Sequence, residues 1–453
     1  MKTYFISFCV FGSLLFNQIK AQDTTYYTLD EAVKVALQNN KSVEAAELDT
    51  ELNRFRKGEA NSALYPQING SAGITHFIDL PQSFLPAQLL NPQAPDGEVV
   101  GAALGLPNTS KVGISANWLL YNQAVFAANK ILRVQSELSE VQIQQTKDEV
   151  AYSVTQLYYG ISFAIQQKSI LSKNVESLDK LLKIVESNYQ NGLITKVEVG
   201  KVSVSKSNLE SELENIEVAI QTQQNFLRLL MGLPTDAKIK LTDTFGNQDF
   251  QKNLVQNIDL FQKVENTTDY KLLQKQIQLT QAEKQTFVAS YIPSLAIVYD
   301  YSYNWANREF SNLYNSDLKY PQQYVGVQLN VPIFDGRKNE YKLRQNKVKT
   351  LQLEKRADYL NQKIATDITN ANLKYNQNIT AISVREQNRQ VAKQVYEQSL
   401  LQYQEGIISL NDVITSENEW RQAQTQYLTA LSNTLLALLD YKKATGNLLS
   451  MEN

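Results

Sequence analysis

Val112-Gly113-Ile114-Ser115-Ala116-Asn117 returns further along the chain as Val325-Gly326-Val327-Gln328-Leu329-Asn330, and Tyr121-Asn122 matches Phe334-Asp335 in the same register. Two later stretches repeat at nearly the same offset. Tyr189-Gln190-Asn191-Gly192-Leu193-Ile194-Thr195 becomes Tyr403-Gln404-Glu405-Gly406-Ile407-Ile408-Ser409, and Leu230-Met231-Gly232 falls opposite Ala444-Thr445-Gly446. One match could be chance, but three in order at one spacing mean that the second half duplicates the first. Length alone suggests about three domains of ~150 residues each. The duplication overrides that prior: a first repeat over 22–232, a linker over 233–260 and a second repeat over 261–453.

Outward from the quoted stretch, each repeat reads helix, strand, long loop, strand, very long helix, tight turn, helix. Thr28-Leu29-Asp30-Glu31 has the capping-box pattern that opens a helix, expected to run to about Ala63; its counterpart covers about Asp269 to Ser290. Pro66 and Pro293 stop these helices, because proline lacks the N–H and restricts the residue before it. Beyond each proline the apolar period switches from helical to two. Strands are expected at about 66–76, 111–121, 293–303 and 323–334. In the second of them Val112, Ile114, Ala116, Trp118 and Leu120 alternate with Gly113, Ser115 and Asn117. About 10 residues with one apolar and one polar face is the length and pattern of a transmembrane β-strand whose inside is wet.

A soluble β-sandwich shows the same alternation. Aromatic residues near the strand ends, among them Tyr65, Phe77, Trp118, Tyr121, Tyr291, Tyr303, Trp305, Tyr324 and Phe334, tilt the balance toward a membrane, because such residues favour its boundary with water. The connections Ile78 to Ser110 and Ala306 to Gln322 are rich in Pro, Asn and Gly, as expected of loops outside the cell.

From about Gln123 to Gln190 only Gly160 interrupts the helix formers, and Arg337 to Glu405 contains neither Gly nor Pro. At 1.5 Å per residue each segment reaches roughly 100 Å. Val150, Val154, Leu157, Ile161 and Ala164 keep spacings of four and three, as do Leu171, Val175, Leu178, Leu182, Val185 and Tyr189; Leu209, Leu213, Ile216 and Ile220 carry the seam back. These are coiled-coil hairpins. The linker breaks the regularity with Pro234 and Gly246 and is expected to join the repeats around the outside of the helical section.

Met1-Lys2, an apolar stretch from Tyr4 to Phe16 and Ala21 before Gln22 read as a secretory signal peptide over 1–21. The sole cysteine, Cys9, lies inside it, so the mature chain is expected to carry no disulfide. No window approaches the ~20 apolar residues of a transmembrane helix. Lys and Arg number 44 against 46 Asp and Glu, a balance that argues against a nucleic-acid partner, which needs a basic face.

Four strands cannot finish a structure in lipid. An open sheet leaves two margins of unpaired N–H and C=O groups, each costing several kcal/mol, so several copies must close it. A barrel of about eight strands fills with its own side chains whereas a larger one holds water; a trimer with twelve strands is the smallest such assembly with an aqueous bore.

Leu29, Ala32, Ala36-Leu37 and Asn40 in the opening helix, Pro66 and Pro293 before the strands, and the doubled Tyr-x-x-Gly-x-x-Thr/Ser turns resemble the TolC-like outer-membrane efflux protein family over essentially the whole mature chain. The resemblance implies a homotrimer in outer-membrane lipid, with a 12-stranded barrel continued by a helical barrel through the periplasm. It also implies docking to an inner-membrane pump through a periplasmic adaptor, or membrane fusion protein, as the passive duct of a tripartite efflux or type I secretion system. Gly192, Leu193, Ile194, Thr195, Gly406, Ile407, Ile408 and Ser409 would form the periplasmic tips where the adaptor docks. Asp412 falls where the family's archetype carries an acidic residue lining the periplasmic constriction, and Tyr403 matches a family tyrosine. The sequence departs from the archetype at Thr415, where a second acidic residue stands, and at Ile408, where a gate arginine stands. A salt-bridged lock is therefore in doubt.

By their own chemistry these residues also have plainer roles: the glycines end helices, Thr195 with Glu198 and Ser409 with Asp412 restart them as capping boxes, and Tyr403 suits the seam. His76, the only histidine, has no Cys or second His near it in sequence, and no phosphate loop, nucleophile elbow or helix-borne His pair is present. No enzymatic activity, metal or cofactor is expected; Glu212 and Glu214 read as a solvated helix face rather than a glycosidase pair. The competing reading is a soluble exported coiled-coil scaffold or adaptor in the periplasm. An ordinary porin would leave the helices without a role.

Overall fold

The structure is a computed structural model and describes residues 24–242, 264–315 and 317–448; the signal-peptide reading of 1–21 and most of the linker lie outside these. In chain order the elements are β1 (Thr25–Tyr27), α1 (Leu29–Asn39), α2 (Lys41–Ser62), β2 (Gln67–His76), β3 (Gln82–Pro86), β4 (Val99–Ala103), β5 (Asn108–Tyr121), α3 (Gln123–Gln190), α4 (Lys196–Leu230), β6 (Ile239–Leu241), α5 (Thr268–Ala289), β7 (Ser294–Asn307), β8 (Lys319–Asn330), α6 (Lys338–Gln404) and α7 (Leu410–Thr445).

The expected opening helix is two helices. Thr28 caps α1 as its sequence demands: its N–H donates to Glu31 Oε2 at 2.9 Å and its Oγ1 accepts from Glu31 N at 3.3 Å. The helix breaks at Asn40, whose backbone is extended. Its side chain accepts from Ser42 N at 2.9 Å and donates to Leu230 O at 2.8 Å. Asparagine offers backbone groups an alternative to the helical ladder, and here it starts α2 while fastening it to the end of α4.

β2, β5, β7 and β8 form one antiparallel sheet in that order. Register places Ile68, Ala116, Tyr299 and Val325 in one row, and Asn69, Ser115, Asp300 and Tyr324 in the next. Because side chains alternate, one face carries Ile68, Ile114, Trp118, Ile297, Val325, Val327 and Leu329, and the other Asn69, Ser115, Asn117, Gln322 and Gln328. The polar face bears an ion pair, Lys111 Nζ to Asp300 Oδ1 at 3.7 Å. Gly113 lies so close to β7 that an added Cβ would meet Ser302 Cβ and Tyr301 O at 2.8 Å, so this crossing of strands requires glycine.

The strand bounds differ from those expected: β5 starts at Asn108 rather than 111, β7 runs to Asn307 rather than 303, and β8 starts at Lys319 rather than 323, so the strands reach into both connecting stretches. The last strand ends at Asn330, not 334: Pro332 cannot donate to a ladder, and Ile333 and Phe334 project into the open. Within the connection expected over 78–110, β3 and β4 pair from Gln82↔Ala103 to Pro86↔Val99.

β1 and β6 pair in parallel, Thr25 opposite Ile239. Beside them Ala32, Ala36, Val43, Val154, Tyr158, Ile161, Leu227 and Met231 form a core, and Tyr158 OH donates to Tyr27 O at 3.0 Å. Each fully buried aliphatic side chain there contributes about 1.5–3 kcal/mol.

The chain divides in space into two compact units: residues 1–44, 146–263 and 364–453 in one, 45–145 and 264–363 in the other. Each unit draws matching pieces from both repeats. The second holds the whole four-stranded sheet.

Candidate functional site

The two inter-helix turns are near copies. After α3, Gly192 adopts φ 74°, its N–H donates to Tyr189 O at 2.9 Å and Leu193 N donates to Asn188 O at 2.9 Å. After α6, Gly406 adopts φ 76°, its N–H donates to Tyr403 O at 3.0 Å and Ile407 N donates to Gln402 O at 2.9 Å. Such paired bonds satisfy the last carbonyls of a helix and need a left-handed residue, which glycine supplies without steric cost. The next helices restart from Thr195, whose N–H donates to Glu198 Oε2 at 2.8 Å, and from Ser409, whose N–H and hydroxyl donate to Asp412 Oδ2 at 3.0 and 2.7 Å.

The structure separates the aliphatic tip residues into two pairs. Leu193 and Ile407 are exposed, 71% and 64%. Ile194 and Ile408 turn inward onto a core containing Leu178, Val185, Val202, Leu209, Tyr403, Leu410 and Val413. Ile408 is thus a half-buried contact of its own hairpin. Asp412 is exposed and committed to the cap, and the Ser409 bonds hold its carboxyl below the usual carboxylate range. Thr415 Oγ1 donates to Asn411 O at 2.8 Å. Tyr403 is buried, with its hydroxyl lacking a hydrogen-bond partner, whereas its counterpart Tyr189 is exposed.

Sequence reasoning missed what lies behind Asp412. Glu417 is 2% exposed, with Oε1 lacking a hydrogen bond and Arg421 Nε 3.9 Å away. Burial pushes its pKa up. Across the hairpin Tyr396 stacks on Trp420 with ring centroids 5.1 Å apart, and burial beside Glu417 raises the Tyr396 hydroxyl to about 12. Arg421 also reaches Glu212 on α4 at 3.9 Å, and one layer on Asn174 donates to Gln424 at 3.1 Å. The signal was present: Leu410, Val413, Glu417, Trp420, Gln424, Tyr427 and Leu431 follow alternating spacings of three and four, so Glu417 occupies a seam position.

The sheet margins are the other candidate. Pro66 and Pro293 stand immediately before β2 and β7. Every residue of β2 is exposed, as are all but one of β8, and these two strands have no partner on their outer sides among the described residues. The apolar face is open too, with Ile68, Val325, Val327 and Leu329 at 64–74% exposure. His76 Nδ1 lies 2.6 Å from Asn108 Oδ1, and Asn108 donates onward to Arg308 O at 2.8 Å, which ties the end of the sheet. Among the described residues no cluster of three His, Cys, Asp or Glu could hold a metal, and no helix is long and apolar enough to cross a membrane.

Residues 32–233 and 268–447 match the family model described as outer membrane efflux protein. The chain is similar in fold to CusC, with TM-score 0.69 at 16% identity over 92% of each chain. It is also similar to the Campylobacter jejuni outer membrane channel CmeC, with TM-score 0.70 at 16% identity over 92% of this chain and 85% of that one. The Vibrio cholerae outer membrane protein VceC gives 0.66 at 17% identity over 92% and 96%. No curated protein matches the sequence.

Proposed function

Since the chain belongs to the outer membrane efflux protein family, we propose that it works as a homotrimeric, non-enzymatic duct from the periplasm through the outer membrane. The observation that carries the reading is the four-stranded sheet with an open apolar face and two unpartnered margins. A margin of this length leaves on the order of ten backbone groups unpaired, each costing several kcal/mol in hydrocarbon. Pairing β8 of one copy with β2 of the next removes the cost. Three copies give twelve strands, enough for an aqueous bore where eight would fill with side chains. The polar face then turns inward and Ile114, Trp118, Val327 and Leu329 meet lipid.

The two turns serve as the periplasmic end, where Leu193 and Ile407 offer apolar contacts to the hairpin of an adaptor that recruits an inner-membrane pump for efflux or type I secretion. Gly192, Gly406, Thr195 and Ser409 shape this surface, with Ile194 and Ile408 supporting it from within. Asp412, repeated three times around the axis, would favour cations at the constriction, with Tyr403 behind it. The rival reading, a soluble scaffold or adaptor, leaves the apolar sheet face in water, far more than isolated exposed residues account for.

Mass measurement of the detergent-extracted protein tests the proposal, with conductance in a planar bilayer. A trimer forming stable aqueous channels is expected. A monomer that stays dissolved in buffer without detergent refutes it.

A further inference from the structure

The face of the sheet that carries Asn69, Ser115 and Gln322 is polar but, one pair apart, uncharged. Following the register and the alternation of side chains, β2 and β8 place only amide, hydroxyl, phenol and glycine residues on it. β5 adds Lys111 and β7 adds Asp300, and among the described strand residues this face has no other carboxylate or ammonium group. Lys319, the second lysine of the strands, stands opposite Trp305 in the apolar series.

Lys111 and Asp300 are not cross-strand neighbours. Lys111 is opposite Asn304 and Asp300 is opposite Ser115, four residues apart along the ladder, which is about 13 Å at ~3.3 Å per residue. Yet Lys111 Nζ lies 3.7 Å from Asp300 Oδ1, so both side chains lean along their strands to meet. The row they span is Gly113 and Ser302. Both are buried, although Ser71 and Gln322 at either end of that row are exposed. Gly113 has no side chain to obstruct the approach. Asp300 Oδ1 makes no hydrogen bond and the lysine side chain stays 50% exposed, so the cation balances the carboxylate without being fastened to it.

We infer that Lys111 cancels the charge of Asp300 so that the membrane section of the duct presents no net field to its cargo, and that this pair determines charge selectivity there. Solutes of either sign pass the compensated wall, and loss of one partner turns it into a filter. The inference rests on the assembly reading above, which turns this face toward the bore and repeats the pair three times. A ring of like charges in a pore attracts counter-ions and repels co-ions, over a range of about 8–10 Å at ordinary salt. The loops beyond the strands hold Asp79, Asp96, Glu98, Glu309 and Asp317 against Arg308, and these are the same in every variant below.

Single-channel recording of the detergent-extracted protein across a salt gradient reads the K⁺/Cl⁻ permeability ratio. Lys111→Gln is expected to raise the ratio about twofold or more and Asp300→Asn to lower it by a similar factor. The two combined should return it to the wild-type value. Cys9 is the only cysteine, so a Cys9→Ser, Lys111→Cys channel allows the charge to be changed after assembly, which separates charge from folding. Aminoethyl methanethiosulfonate adds an ammonium group and should bring the ratio back toward wild type. Sulfonatoethyl methanethiosulfonate adds a sulfonate and should raise it further. Conducting trimers whose ratio is unmoved by these changes, or moves the same way for both single variants, overturn the compensation and leave the duct standing. A wild-type protein that forms no channel overturns both.

Discussion

Replacing Glu417 with leucine should tighten the second hairpin. The carboxyl occupies a seam position of α7, is almost wholly buried and leaves Oε1 without a hydrogen bond. An unsatisfied buried polar group costs about 1–3 kcal/mol, and a leucine there removes that cost while adding apolar contact with Tyr396 and Trp420. Arg421 keeps Glu212 at 3.9 Å from its Nη1 and a side chain that is 31% exposed. Its buried Nε, already without a hydrogen bond, loses its carboxylate neighbour, which places the gain toward the lower end of the range. The expected gain of about 1–3 kcal/mol corresponds to roughly 5- to 150-fold less frequent opening. Amide hydrogen exchange over Leu410–Gln424, normalised for intrinsic rates, reads it directly. The same experiment has a pH arm. Because burial raises the Glu417 pKa in the closed hairpin, its contribution is full below the open-state value near ~4.3 and is lost as pH rises through the raised value. Protection in the wild type should therefore fall with pH across that window, by at most about tenfold per unit, and Glu417→Gln should flatten the slope. Protection independent of pH in the wild type, or a leucine variant that exchanges faster, refutes the reasoning.

Other outcomes follow from single positions. Gly232 and Gly192 share a left-handed backbone, but a Cβ on Gly232 would collide with Asn39 O whereas one on Gly192 meets open space. Gly192→Ala should cost about 1–2 kcal/mol, and Gly232→Ala should lower the yield of folded protein sharply, as read by heat-modifiable mobility on gels. Asp412→Asn removes charge while keeping a capping side chain, so a reduced K⁺/Cl⁻ permeability ratio in planar bilayers is expected if three such carboxylates line the bore; an unchanged ratio removes Asp412 from the constriction. Val327→Lys puts a cation on the apolar face at about 2–4 kcal/mol if near the bilayer midplane, whereas Gln328→Lys faces the other way; outer-membrane recovery should fall for the first and hold for the second.

The chain's periodicities carry most of its architecture. Apolar residues at steps of two between Pro66 and Tyr121, and again after Pro293, define strands because the pleat admits no other phase. Steps of three and four through Leu171, Leu178 and Val185 define a helical seam for the same kind of reason. Thr28, Thr195 and Ser409, each followed three residues on by a carboxylate, locate helix starts through bonds only a few residues long. Less local features were hidden. The break at Asn40 depends on Leu230, which is remote in sequence, and the pairing of Thr25 with Ile239 joins segments whose period is too short to recognise.

The sequence by itself determined the duplication, the kind of each long element and the likeness of the two turns, since all three are written in short-range spacing. Only the tertiary structure decided that Ile194 and Ile408 point inward while Leu193 and Ile407 stay out, that Glu417 is buried beside Asp412's exposed cap, and that Lys111 meets Asp300 rather than the residue opposite it. Burial is a property of neighbours brought together from distant parts of the chain. Spacing tells which residues share a face, and the packing of the other elements decides whether that face meets protein, water or another copy.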